Sequence, residues 1–141
     1  MFRFTSAISS ALIAASLAGC TQASSPGTGG NGVNTGRLTG TATYVEKMAL
    51  PAGSVLEVSL MDVSRMDVAA TTISTYKTAI SGVPANWVIT YNPARIEPNH
   101  TYALQARITS GSSLIFTTMD HNRILAEGAN NTDLVLQRVG N

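Results

Sequence analysis

Thr101-Tyr102-Ala103-Leu104-Gln105-Ala106-Arg107-Ile108-Thr109 is the stretch on which the fold turns. Tyr102, Leu104, Ala106 and Ile108 fall on one side of an extended chain, Gln105 and Arg107 on the other. Successive side chains of a strand point to opposite faces, so a period of two predicts a half-buried β-strand here.

Six further segments carry the same texture on either side: 37–46, 54–61, 70–79, 87–91, 113–118 and 133–139. In the second of these Leu56, Val58 and Leu60 alternate with Glu57 and Ser59, and in the fourth Trp87, Ile89 and Tyr91 share a face. The breaks fall at Pro51-Ala52-Gly53, Gly82-Val83-Pro84, Asn92-Pro93, Pro98-Asn99, Ser110-Gly111 and Gly128-Ala129-Asn130. Proline presets φ at such places, and glycine and asparagine tolerate positive φ. Residues 92–96 read as one short helical turn, and no segment carries the period of a long amphipathic helix. Seven short strands with regular turns predict an all-β domain over 37–141, a single seven-stranded antiparallel immunoglobulin-like β-sandwich. Trp87 is expected as its core anchor, the alternative being an exposed ring that stacks on carbohydrate. Pro98-Asn99-His100-Thr101-Tyr102 resembles the turn-then-Tyr entry of a tyrosine corner, in which the hydroxyl bonds back to the backbone; otherwise Tyr102 is simply core.

The rest of the chain has a different composition. Residues 21–36 read TQASSPGTGGNGVNTG, with Val33 as the only large apolar residue. Such a segment buries too little surface to offset its ordering entropy, and is expected to be a flexible tether of about 20–24 Å root-mean-square reach. Before it, Arg3 and the amino terminus form a short positive end, followed by an apolar run from Ile8 to Leu17. A bilayer span needs about 20 apolar residues, so this run reads as the core of an export signal over 1–19.

That signal ends in Leu17-Ala18-Gly19-Cys20, which resembles the bacterial lipobox, and Cys20 is the only cysteine in the chain. The resemblance implies a diacylglycerol thioether on the Cys20 sulfur, cleavage before Cys20, and an N-acyl chain on the new amine. The expected partner is then the lipid bilayer. Thr21 follows the cysteine where an Asp would retain an enteric lipoprotein at the inner membrane, which by resemblance favours an outer-membrane anchor facing the periplasm.

Charge narrows the remaining possibilities. The 141 residues carry 9 basic and 8 acidic groups, and loss of Arg3 with the leader leaves eight of each. Nucleic-acid binding needs a basic face that displaces counterions, and no run of Lys or Arg supplies one. With one cysteine there is no intramolecular disulfide, so packing and strand pairing must hold the domain.

Over roughly 37–139 the chain resembles the YbaY family of lipoproteins, related to the YscW lipoprotein chaperones of type III secretion. The resemblance is carried by Leu38-Thr39-Gly40-Thr41, by Ala49-Leu50-Pro51-Ala52-Gly53 and by the element from Val58 to Asp67, VSLMDVSRMD. Tyr91-Asn92-Pro93-Ala94-Arg95-Ile96 and Pro98-Asn99-His100-Thr101-Tyr102-Ala103-Leu104 extend it. It implies a periplasmic-facing β domain on a lipid anchor with no established reaction and, in the YscW branch, help for a secretin ring in reaching the outer membrane.

Two clusters are candidates for chemistry. Asp62, Ser64 and Asp67 offer carboxylates for a cation or ligand, although their spacing is not that of an EF-hand loop. The same residues fit an Asx or Ser/Thr turn, whose side chains bond nearby backbone amides. Asp120-His121, with Glu127 nearby, offers metal or proton-transfer groups, but adjacent strand residues face opposite ways and the alternative is a polar loop. His100 is expected as a turn or surface residue. The sequons at Asn99 and Asn130 are read as chance. There is no nucleophile elbow and no phosphate loop. No metal or cofactor is expected beyond the lipid on Cys20. The function expected is a non-enzymatic binding or assembly-support module of the cell envelope. The alternatives are a pilotin-like chaperone for a secretin, or a structural or stress-related lipoprotein without a specific ligand.

Overall fold

The computed structural model describes residues 34–125 and 132–140. The leader, Cys20, the tether up to residue 33, Glu127 and the Gly128–Asn130 break lie outside the described residues. Among those described, eight strands occur: β1 Gly36–Tyr44, β2 Ser54–Asp62, β3 Thr71–Ala79, β4 Ala85–Tyr91, β5 Tyr102–Ser110, β6 Ser113–Thr117, β7 Asn122–Ile124 and β8 Asp133–Arg138. Pro93–Arg95 forms one 3₁₀ turn, capped by Asn92, whose side chain accepts from the Ala94 N–H. Among the described residues the expected turns are present, with Gly111 at φ 59° in the β5–β6 hairpin and Asn99 at φ 69° before β5.

The seven expected strands all occur, together with β7, whose three residues are too few to display a period of two. Two expectations need correction. The pairing is not wholly antiparallel, since β8 lies parallel to β1 with Ala42 opposite Leu134 and Tyr44 opposite Leu136. The strands also follow one path, β3-β2-β5-β6-β8-β1-β4, with β7 beside β5, rather than the two separate sheets of an immunoglobulin-like sandwich. That sheet bends round until its end strands meet. Ser74 Oγ donates to the Thr90 carbonyl oxygen at 2.6 Å, and Arg95 Nη1 donates to that of Ile73 at 2.9 Å. The result is a nearly closed barrel. A barrel and a sandwich share the same inward–outward alternation, so strand patterning cannot separate them.

The core lies inside this curve, and the alternation fills it. Leu56 stands opposite Ile108, Val58 opposite Ala106 and Leu60 opposite Leu104, all buried. Phe116 stacks on Tyr44 with ring centroids 4.2 Å apart, and Leu134, Leu136, Trp87 and Ile89 complete the interior. On the outer face Glu57 accepts from Lys77 Nζ at 2.6 Å and from Arg107 Nε at 2.7 Å, a row across β3, β2 and β5. The Lys77 hydrogen bond, with that of Arg107, holds the Glu57 carboxyl below its ordinary value.

Candidate functional site at the chain-entry end of the barrel

The register places several connections at one end. Gly36 stands opposite Tyr91, while Asp62 stands opposite both Thr71 and Tyr102. Tyr102 in turn faces Ile124. The chain therefore enters the domain at the end that carries the β2–β3 loop, the Asn92–Thr101 connection and the last residue of β7, Ile124. The β1–β2, β3–β4 and β5–β6 connections lie at the other end.

A polar network ties two of these loops together. The Ser64 N–H and hydroxyl both donate to Asp62 Oδ1, at 2.9 and 2.5 Å, which makes an Asx turn. Ser64 Oγ accepts from the Thr101 N–H at 2.8 Å, and the Val63 N–H donates to the Thr101 carbonyl at 2.8 Å. His100 Nδ1 lies 2.7 Å from Asp62 Oδ2, and its Nε2 lies 3.5 Å from Glu97 Oε2. Tyr102 closes the base of the second loop: its hydroxyl accepts from the Glu97 N–H at 2.7 Å and reaches the Arg95 carbonyl at 3.5 Å. The tyrosine-corner reading and the core reading thus both hold, since the ring is buried.

Of the predicted cluster, Asp62 and Ser64 come together as a turn. Asp67 stays exposed on the loop outside this network. His100 joins Asp62 instead, a pairing the sequence hid because it depends on β2 lying beside β5. Asp120 and His121 are exposed, and no group of three His, Cys, Asp or Glu side chains able to hold a metal occurs among the described residues. The Ser64 hydroxyl proton is directed to Asp62, not to His100, so the three side chains do not form a nucleophile–base relay.

The Ser64 hydroxyl, the Ser64 N–H and His100 pull the Asp62 carboxyl from 3.8 down to about 2, against the opposing effect of burial. A depressed pKa means that the ionised Asp62 stabilises the fold above the unfolded value and that this contribution disappears as pH falls through about 2. Asp62→Asn is therefore expected to lower stability at neutral pH by about 1–2 kcal/mol, screening by water included. The gap from the parent chain should narrow steadily below about pH 4. Urea unfolding of both proteins at several pH values checks this; a pH-independent gap would mean that the carboxylate charge is not what matters.

The β2–β3 loop has a cavity on each side. One, of about 510 Å³, is a polar cleft lined by Asp62, Ser64, Arg65, Ile73, Arg95 and His100. On the other side two hollows of about 450 and 170 Å³ adjoin through Val63, Ala70 and His121. Met61, Met66, Val68 and Met119 make that groove apolar, with Arg65 and Arg123 at its rim. Methionine is adaptable and suits surfaces that contact other bodies. Met66 at the loop tip is 99% exposed, and Val68 is 59% exposed.

Comparison with known proteins adds the following. Residues 33–136 match the family model described as type III secretion system lipoprotein chaperone (YscW). The uncharacterized lipoprotein YbaY of Escherichia coli strain K12 is 32% identical over 101 residues, covering 70% of this chain and 53% of that protein. The chain thus matches about half the length of this curated relative. Among solved structures, an alternative pilotin from the type II secretion system of Vibrio cholerae superposes with a TM-score of 0.70 at 30% identity. The superposition covers 76% of this chain and 99% of that one.

Proposed function

Because the chain belongs to the YscW family of lipoprotein chaperones and is similar to the lipoprotein YbaY, we propose that it is a periplasm-facing lipoprotein of the outer membrane. On this reading it acts without catalysis, as a pilotin-like assembly-support module whose partner is a secretin. The observation that carries the reading is the superposition on almost the whole of a type II secretion pilotin. The commitment of the Ser64 hydroxyl to Asp62, and of the His100 ring to Asp62 and Glu97, favours a non-enzymatic role.

The anchor is Cys20, carrying a diacylglycerol thioether and an N-acyl chain, and no other cofactor is called for. Acyl chains contribute about 0.8 kcal/mol per buried CH₂, so two or three of them hold a protein to a bilayer durably. Cys20→Ser is expected to move the protein from the membrane fraction to the soluble periplasm, and mass spectrometry should find the acyl mass only on the parent chain. A variant that still partitions wholly with membranes, beside a parent without acyl mass, would remove the anchor. Deleting the gene tests the partner: the host's secretin should fail to reach the outer-membrane fraction. Unchanged secretin abundance and location would discard the pilotin role and leave the lipoprotein intact.

A further inference from the structure

We propose that the chain-entry end of the barrel faces and touches the bilayer that holds the anchor, with Met66 and Val68 as the contacting side chains. This rests on the Cys20 anchor proposed above.

The first argument is connectivity. Fifteen residues, 21–35, separate Cys20 from the first residue of β1, and a Gly/Ser-rich stretch of that length reaches about 19–23 Å. The nine-residue strands β1, β2 and β5 are each about 30 Å long. The entry end is thus held near the membrane while the opposite end can stand a full strand length farther away. The Val63–Ala70 loop shares the entry end, because Asp62 and Thr71 pair there and Gly36 pairs with Tyr91.

Exposure is the second argument. Met66 is almost fully exposed at the tip of a loop whose base is fixed by the hydrogen bonds of Asp62, Ser64 and Thr101. An apolar side chain held out on a fixed base gains nothing from water and something from the acyl–headgroup boundary. Tethering makes the contact intramolecular, so a weak affinity is enough to keep it occupied.

Charge determines what kind of surface is met. Around the loop, Arg65, Arg95 and Arg123 are offset by Asp62, Asp67 and Glu97. The contact is therefore apolar, needs no anionic lipid and is insensitive to salt.

The test uses the full lipidated chain in vesicles of phosphatidylethanolamine and phosphatidylcholine, with one added thiol carrying a fluorophore. Cys20 is blocked by its lipid, so Met66→Cys and Val45→Cys are labelled singly. Val45 lies exposed just beyond the far end of β1. A quencher carried on lipid headgroups is expected to quench the label at 66 several-fold more than the label at 45, equally in low and high salt. Equal quenching at both positions, with the acyl mass present on Cys20, overturns the proposal and leaves the anchor standing. Loss of the difference in high salt overturns its apolar basis. A label at 66 that is shielded only when the host's secretin is added assigns the loop to a protein partner instead. Absence of the acyl mass overturns the anchor reading itself.

Discussion

Trp87→Ala is expected to lower the melting temperature by about 15–30 °C or to prevent folding at growth temperature. Trp87 lies on β4 opposite Gly40, 2% exposed, among Ile89, Leu104 and their neighbours in one core cluster. Truncating a buried Trp costs about 3–5 kcal/mol, from lost transfer energy and from the cavity left behind. A domain of this size has only about 5–15 kcal/mol in total. The indole Nε1 has no hydrogen-bond partner among the described residues, so Trp87→Phe sacrifices volume but no hydrogen bond. It should lose distinctly less than Trp87→Ala in the same urea titration. Trp87 is the only tryptophan in the chain, which lets fluorescence report on this site alone. Emission should be blue-shifted and resistant to iodide in the folded protein. Red-shifted, readily quenched emission together with a harmless Trp87→Ala would return Trp87 to the carbohydrate-stacking role that its burial argues against.

Gly40→Ala should be the most damaging single-methyl change in the described strands. A Cβ at Gly40 would overlap the Thr132 carbonyl oxygen and come within 2.6 Å of Trp87 Cζ2. Backbone stands on one side and the core tryptophan on the other, so neither neighbour can swing away. The same carbonyl accepts the Thr41 N–H at 3.1 Å, where β8 begins its parallel run beside β1. Relief therefore means pulling β8 off β1 or forcing Trp87 from its rotamer. Overpacking of this kind costs about 1–3 kcal/mol and sometimes more. Gly36→Ala is the control: its Cβ would overlap only the ring of Tyr91, a half-buried side chain at the strand end that can rotate out. It should cost less than about 1 kcal/mol, as exposed-edge substitutions commonly do. Chemical denaturation of the two variants side by side decides the matter; equal, small losses would mean that β8 yields easily and that the β1–β8 junction is soft.

The contrast between these glycines shows where sequence reading stops. Both lie in β1, Gly36 as its first residue and Gly40 within it, and nothing local says which of them tolerates a methyl group. What separates them is that a carbonyl ninety residues away in the chain lies against one and not the other. The same holds for His100 and Asp62, which meet only because β2 pairs with β5, and for the groove between the β2–β3 loop and the approach to β7. Each is a consequence of strand order, which the period of two does not encode.

From the residues alone came the all-β class, the bounds of seven strands to within a few residues, the turns at Asn99 and Gly111, the burial of Trp87 and the Asx turn at Asp62. These are local matters: alternation states which side of a strand is apolar, and Pro, Gly and Asn state where the backbone turns. The tertiary structure decided the rest: the three-residue β7, the parallel seat of β8 beside β1, the curvature that turns one sheet into a nearly closed barrel, and the gathering of chain entry, apolar loop tip and polar network at one end. Those depend on which strands find each other across long loops. Inward alternation is satisfied equally well by a sandwich and by a barrel, so only the packing of the whole core selects between them.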